Sequence, residues 1–156
     1  MNTLVHTDLG PSVDNAPKGH SPTRERPLVL VTDDHEDTRL LFRTILEMRG
    51  CSVIEAADGE QGVQLAETTV PDLILMDGTL PRLDGLSATR RIRELNASRK
   101  IPIVFICGRA EPGYDALAID AGCDDFLLKP LNFDLLFNVL EKHLGTSQSS
   151  VTEVGH

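Results

Sequence analysis

Five short apolar runs, each followed by residues at helical spacing, constrain this chain more than any other feature. The runs fall at 28–32, 52–56, 73–76, 102–106 and 125–128. Each is nearly continuous in apolar residues, as a strand buried on both faces requires. Helical patterns fill 36–49, 59–69, 86–96 and 111–121, and a last helix opens at the N-cap Asn132 and stops at Gly145. In the first helix Leu40, Leu41, Ile45 and Met48 recur at helical spacing; in the second, Val63, Leu65 and Ala66 point inward. The last carries Leu135, Leu136, Val139, Leu140 and Leu144 on its inner face. Strands joined by single helices must run parallel, and right-handed crossovers then favour an α/β, doubly wound five-stranded parallel sheet with five helices.

In such a sheet all carboxyl ends of the strands open on one side. The expected layout therefore gathers Asp33, Asp34, Asp77, Cys107 and Lys129 at one mouth, although they are far apart in sequence. Three carboxylates in one place repel each other unless a cation sits among them. Magnesium suits them, being hard and satisfied by a few carboxylates, water and phosphate oxygens. Lys129 adds a compact positive charge able to meet a carboxylate or a phosphoryl group. Acid, metal and lysine together suit phosphoryl transfer, where neutralising charge and positioning do most of the catalysis. Taken singly, Asp33 and Asp34 read as helix caps and Lys129 as a surface residue before a proline; their co-occurrence at three strand ends favours the site.

Length and charge set the remaining bounds. A chain of 156 residues suits one domain with a full core. Residues 1–27 hold four of the nine prolines and little periodicity, so a flexible arm is expected there. The folded domain should cover 28–145, and the Ser/Thr-rich end, 146–156, should be disordered. The arm carries three basic and three acidic residues, so nearly all of the net charge of −9 lies on the domain. That charge disfavours nucleic acid and favours cations or basic protein surfaces. The basic run Arg90, Arg91, Arg93, Arg99 and Lys100 reads as a solvated helix face. No apolar run reaches transmembrane length, and the start lacks the pattern of a signal peptide. Cys51, Cys107 and Cys123 are too scattered for a disulfide framework, so no membrane and a cytoplasmic location are expected.

These residues bring a family into view. From about Pro27 to Leu144 the chain resembles the receiver domains of two-component response regulators, a flavodoxin-like group that includes chemotaxis regulators. The resemblance is carried by Asp33-Asp34, by Met76-Asp77-Gly78-Thr79-Leu80-Pro81 with Leu83-Asp84-Gly85, and by Asp125-Phe126-Leu127-Leu128-Lys129-Pro130. It implies that Asp77 accepts a phosphoryl group from a histidine kinase or histidine phosphotransfer protein. It implies that Asp34, Asp77 and the carbonyl of Thr79 hold Mg2+, with Asp33 contributing. Lys129 would contact the phosphoryl group, and Phe126 would take the place of the family's switch aromatic. Such a domain catalyses its own phosphorylation and dephosphorylation without being a conventional turnover enzyme. Two residues depart from the family pattern. Cys107 stands where a Ser or Thr hydroxyl usually binds the phosphoryl oxygen, and Gly78 replaces a bulkier apolar residue. A thiol is the weaker donor.

Asp77-Gly78-Thr79-Leu80 also looks like part of a haloacid-dehalogenase motif, but Leu75 stands where that motif needs its nucleophilic aspartate. No Gly-x-Gly-x-x-Gly follows a strand, which removes dinucleotide binding. The remaining alternative is a receiver-like scaffold that binds partners without being phosphorylated. Only eleven residues follow Gly145, so the expected form is a stand-alone receiver, or a piece of a larger protein, signalling to an unknown downstream target through protein contacts.

Overall fold

The computed structural model describes residues 24–95, 100–108 and 112–145. The strands are β1 (Leu28–Thr32), β2 (Ser52–Ala56), β3 (Leu73–Asp77), β4 (Ile103–Cys107) and β5 (Asp125–Leu128). They alternate with α1 (Glu36–Met48), α2 (Gly59–Thr69), α3 (Gly85–Leu95), α4 (Tyr114–Ala121) and α5 (Phe133–Leu144). All pairings are parallel and the sheet order is β2-β1-β3-β4-β5. The five-stranded, doubly wound architecture is thus the one the apolar runs imply.

Alternation along the strands divides the core between the two faces of the sheet. Val29, Val31, Leu73, Leu75, Val104 and Ile106 face α1 and α5, meeting Phe42, Leu46, Leu136, Leu140 and Leu144. Leu30, Ile74, Met76, Ile103 and Phe105 face α2, α3 and α4, meeting Val63, Ala66, Ala88, Ile92 and Ala118. Burial on both sides is what makes these strands read as continuous apolar runs.

Two helix faces differ from the sequence expectation. In α1, Leu40, Leu41 and Met48 are exposed, Met48 by 81%, whereas Phe42 and Leu46 are buried. Phe42 and Leu46 pack into the cluster that holds Val29, Val31, Leu73 and Leu75, and the guanidinium groups of Arg39 and Arg43 donate to Glu55 of β2 alongside, at 2.9 and 2.7 Å. In α5, Leu135 is 51% exposed, and its backbone N–H is engaged by the Asn132 cap at the helix start. The stripe begins one residue later, at Leu136.

Element ends shift slightly. β3 runs one residue further than the apolar run, because Gly78 N–H donates to Ile106 O at 2.9 Å and extends the ladder past Asp77. β4 starts at Ile103 and includes Cys107. Within α4 the helix begins at Tyr114, after Gly113 in a left-handed conformation (φ 85°); Glu111, the expected start, lies outside the described residues. The expected arm lies outside them up to residue 23, as does the expected tail, 146–156. Residues 24–27 are described and docked: Arg24 donates to Thr69 O and Val70 O at 2.6 and 3.1 Å and pairs with Asp72 at 3.0 Å. It thereby satisfies carbonyls at the end of α2 that the helix cannot bond itself.

Candidate functional site

The order β2-β1-β3 means that the chain reverses its winding between β1 and β3. Crossovers on either side of that point leave on opposite faces, which opens a crevice at the carboxyl ends of these two strands. Asp33 and Asp34 follow β1, Asp77 ends β3, Cys107 ends β4 and Lys129 follows β5. Local bonds then set each group. Lys129 N–H donates to Cys107 O at 2.8 Å, which carries the β5 end back to β4, and the Lys129–Pro130 peptide is cis. Asp33 N–H donates to Ala56 O at 3.1 Å, tying the end of β1 to β2.

The side chains converge. Lys129 Nζ lies 3.7 Å from Asp33 Oδ2 and 3.7 Å from Asp77 Oδ1, so one ammonium spans two buried carboxylates. Thr79 N–H donates to Asp77 Oδ1 at 3.2 Å, and His35 N–H donates to Asp33 Oδ1 at 2.8 Å. Asp34 is turned outward, and its Oδ1 lies 3.1 Å from Nδ1 of His35. His35, not an aspartate, is the N-cap residue of α1, and its side chain makes no capping bond. Asp33 and Asp34 therefore do not cap the helix through that position.

Burial dominates the electrostatics of Asp77. It disfavours the ionised carboxyl and pushes its pKa up to about 6; the bond from Thr79 and the charge of Lys129 oppose this, while Asp33 and Asp34 add to it. The smaller part of that rise is repulsion from Asp33 and Asp34, which a cation among the three carboxylates would relieve. Asp33, Asp34 and His35 each bring a ligand atom within 4.8 Å of the others. With Asp77 beside them, this is a mostly hard-oxygen donor set around a charge deficit, and such a set fits a small divalent cation.

The remaining expected site residues frame this centre. Cys107 is buried at the end of β4. Phe126 is half-buried, stacked on Phe105 with ring centroids 6.4 Å apart. The other two thiols, Cys51 and Cys123, are pushed up to about 11 by burial and stay protonated. The sequence reading missed His35, Tyr114 and the steric role of Gly85. His35 was signalled only by following Asp34. Gly85 was noted as part of a motif, but a Cβ there would collide with the carbonyl of Asp77 and come within 3.0 Å of Gly78 Cα. Tyr114, the chain's single tyrosine, packs against both Phe105 and Phe126, at 6.1 and 6.3 Å between centroids.

Residues 29–141 match the response regulator receiver domain family. The chemotaxis protein CheY of Bacillus subtilis is 33% identical over 117 residues, covering 74% of this chain and 96% of that one. The alkaline phosphatase synthesis transcriptional regulatory protein PhoP of the same organism is 36% identical over 104 residues, 67% of this chain, and the match spans 42% of PhoP. The chain spans 17% of a further relative, the CAI-1 autoinducer sensor kinase/phosphatase CqsS of Vibrio cholerae, at 37% identity over 74% of this chain. Among solved structures, the receiver domain of a Pseudomonas aeruginosa sensor histidine kinase superposes with a TM-score of 0.71 at 35% identity, covering 78% of this chain and 99% of that one. That crystal structure has a magnesium ion coordinated in its active site cleft.

Proposed function

The chain belongs to the family of response regulator receiver domains, and on that premise we propose that it accepts a phosphoryl group on Asp77 in a two-component phosphorelay. The donor is a histidine kinase or a histidine phosphotransfer protein. The observation that carries this reading is the meeting of Asp33, Asp77 and Lys129 from three strand ends, with the lysine 3.7 Å from each carboxylate.

In the transfer, an oxygen of the Asp77 carboxylate attacks the phosphorus of a phosphohistidine. The new O–P bond forms as the N–P bond breaks, and the electron pair stays on the imidazole nitrogen. Asp77 must be ionised to attack, and with its pKa at about 6 it is largely so above neutral pH. Thr79 N–H holds its Oδ1. Lys129 is placed to move from the carboxylates to a phosphoryl oxygen as negative charge arrives. Asp34, Asp77 and the carbonyl of Thr79 would hold Mg2+, with Asp33 contributing; when bound it supplies charge neutralisation and orientation of the phosphoryl oxygens. Cys107 and Phe126 take the switch positions. The signal leaves through protein contacts, because the acidic domain is unsuited to nucleic acid. No helix of the described residues is long and apolar enough to cross a membrane, consistent with work in the cytoplasm.

Incubation with acetyl phosphate and magnesium, followed by intact mass measurement, tests this. The wild type gains one phosphoryl group and Asp77→Asn gains none. Label retained in the variant places the acceptor elsewhere. A wild type that stays unlabelled supports the second reading, a scaffold that works without phosphorylation, for which the thiol at Cys107 is the supporting observation.

A further inference from the structure

We propose that Tyr114 is the positioning residue that couples the acceptor strand to α4 and to Phe126, supplying the link that a hydroxyl at position 107 would otherwise give. The proposal rests on Asp77 being the phosphoryl acceptor.

Gly78 directly follows that acceptor. A Cβ built there would lie 2.9 Å from the Tyr114 hydroxyl oxygen and 3.1 Å from Cε2 of Phe105. The phenol therefore occupies the space that any larger residue at 78 would fill, and its oxygen rests against the backbone beside Asp77. That backbone is held on both sides: Gly78 N–H donates to Ile106 O at 2.9 Å, and Gly78 O accepts from Gly85 N–H at 3.4 Å. The glycine and the tyrosine thus form a pair, each meaningful in view of the other.

Tyr114 is also the first residue of α4, placed directly after the left-handed Gly113. Its ring leans on Phe105 and on Phe126, with centroids 6.1 and 6.3 Å away. Phe126 lies on β5, three residues before Lys129. One continuous aromatic contact therefore runs from the peptide after Asp77, through the phenol, to the β5 aromatic and the start of α4. A shift of the Gly78 backbone when Asp77 is esterified changes this contact directly. Differential contact of that kind is what moves a two-state equilibrium. The Cys107 thiol is a poor hydrogen-bond donor, so the β4 end alone gives little such difference.

The sequence supplies its own reporter, since it has one tyrosine and no tryptophan. Tyrosine emission and backbone amide spectra of the full chain are followed while beryllofluoride and magnesium are added, with acetyl phosphate labelling run in parallel. In the wild type, Tyr114 emission should change saturably, and Asp77→Asn should abolish the change. Tyr114→Phe keeps the ring and removes the hydroxyl; it should still label at Asp77, while the shift changes of Phe126 and residues 114–121 fall to about half or less. Adding Cys107→Thr to that variant should restore them, a non-additivity that a purely structural role would not produce. Gly78→Ala, which pushes on the ring without removing it, should reduce the emission change. A labelled wild type whose emission does not respond, or a Tyr114→Phe protein with undiminished shifts, overturns the proposal while leaving Asp77 as acceptor. Absence of label in the wild type overturns both.

Discussion

Removing the charge of Asp77 should stabilise the fold at neutral pH. The carboxyl is buried and its pKa stands at about 6, against 3.8 for an ordinary aspartate. Between those values the folded state binds more protons than the unfolded one, so stability falls as pH rises through that window. The loss is complete above the folded pKa and absent well below the unfolded one. Keeping Asp77 ionised then costs about 3 kcal/mol at a pH of about 7.5, an upper figure because relaxation of the crevice absorbs part of it. Asn at this position keeps an oxygen for the Thr79 N–H and has no charge. Urea unfolding without divalent metal should therefore find Asp77→Asn more stable than wild type by about 1–3 kcal/mol at a pH near 7.5. Most of that gap should close near pH 4, and saturating magnesium should narrow it at neutral pH by stabilising the wild type alone. A gap that does not depend on pH, or a variant less stable than wild type at neutral pH, would refute the reasoning.

Other perturbations probe the same crevice and its supports. Magnesium at millimolar concentration should raise the melting temperature of the wild type, whereas Asp34→Ala should melt higher without metal and no longer respond to it; an undiminished response in the variant removes Asp34 from the metal site. Gly85→Ala drives a Cβ into the carbonyl of Asp77 and should destabilise by about 1–3 kcal/mol in urea unfolding, so an unchanged midpoint would mean the turn after β3 yields freely. Arg24→Ala leaves Asp72 and the carbonyls of Thr69 and Val70 without their guanidinium, for an expected loss of about 1–2 kcal/mol by the same assay; no loss would mean that water replaces it fully.

The sheet was legible because burial on two faces leaves little freedom in sequence: Leu73 to Met76 has to be apolar at every position, and the turns had to fall where Asp77 and Lys129 stand. The convergence of Asp33, Asp77 and Lys129 followed from parallel strands alone. Helix faces were less legible. In α1 one apolar set contains Leu40, Leu41 and Met48, and another contains Phe42 and Leu46, and helical spacing does not say which meets the sheet. Packing of Phe42 and Leu46 against the strand residues settles it, with Arg39 and Arg43 reaching Glu55 alongside, and these contacts join different elements. The same holds for Tyr114 beside Gly78 and Arg24 beneath α2. Each is a contact between segments far apart in the chain, with no periodicity to announce it.

The measurement closest to the central claim is a crystal structure of the full chain with magnesium and beryllofluoride. It should show the beryllofluoride adduct, with beryllium bonded to an Asp77 carboxylate oxygen, Lys129 Nζ within hydrogen-bond distance of a fluorine, and magnesium bound by Asp34, Asp77 and the Thr79 carbonyl. An adduct on Asp33 or Asp34, or an Asp77 carboxylate unmodified at saturating beryllofluoride, would contradict it.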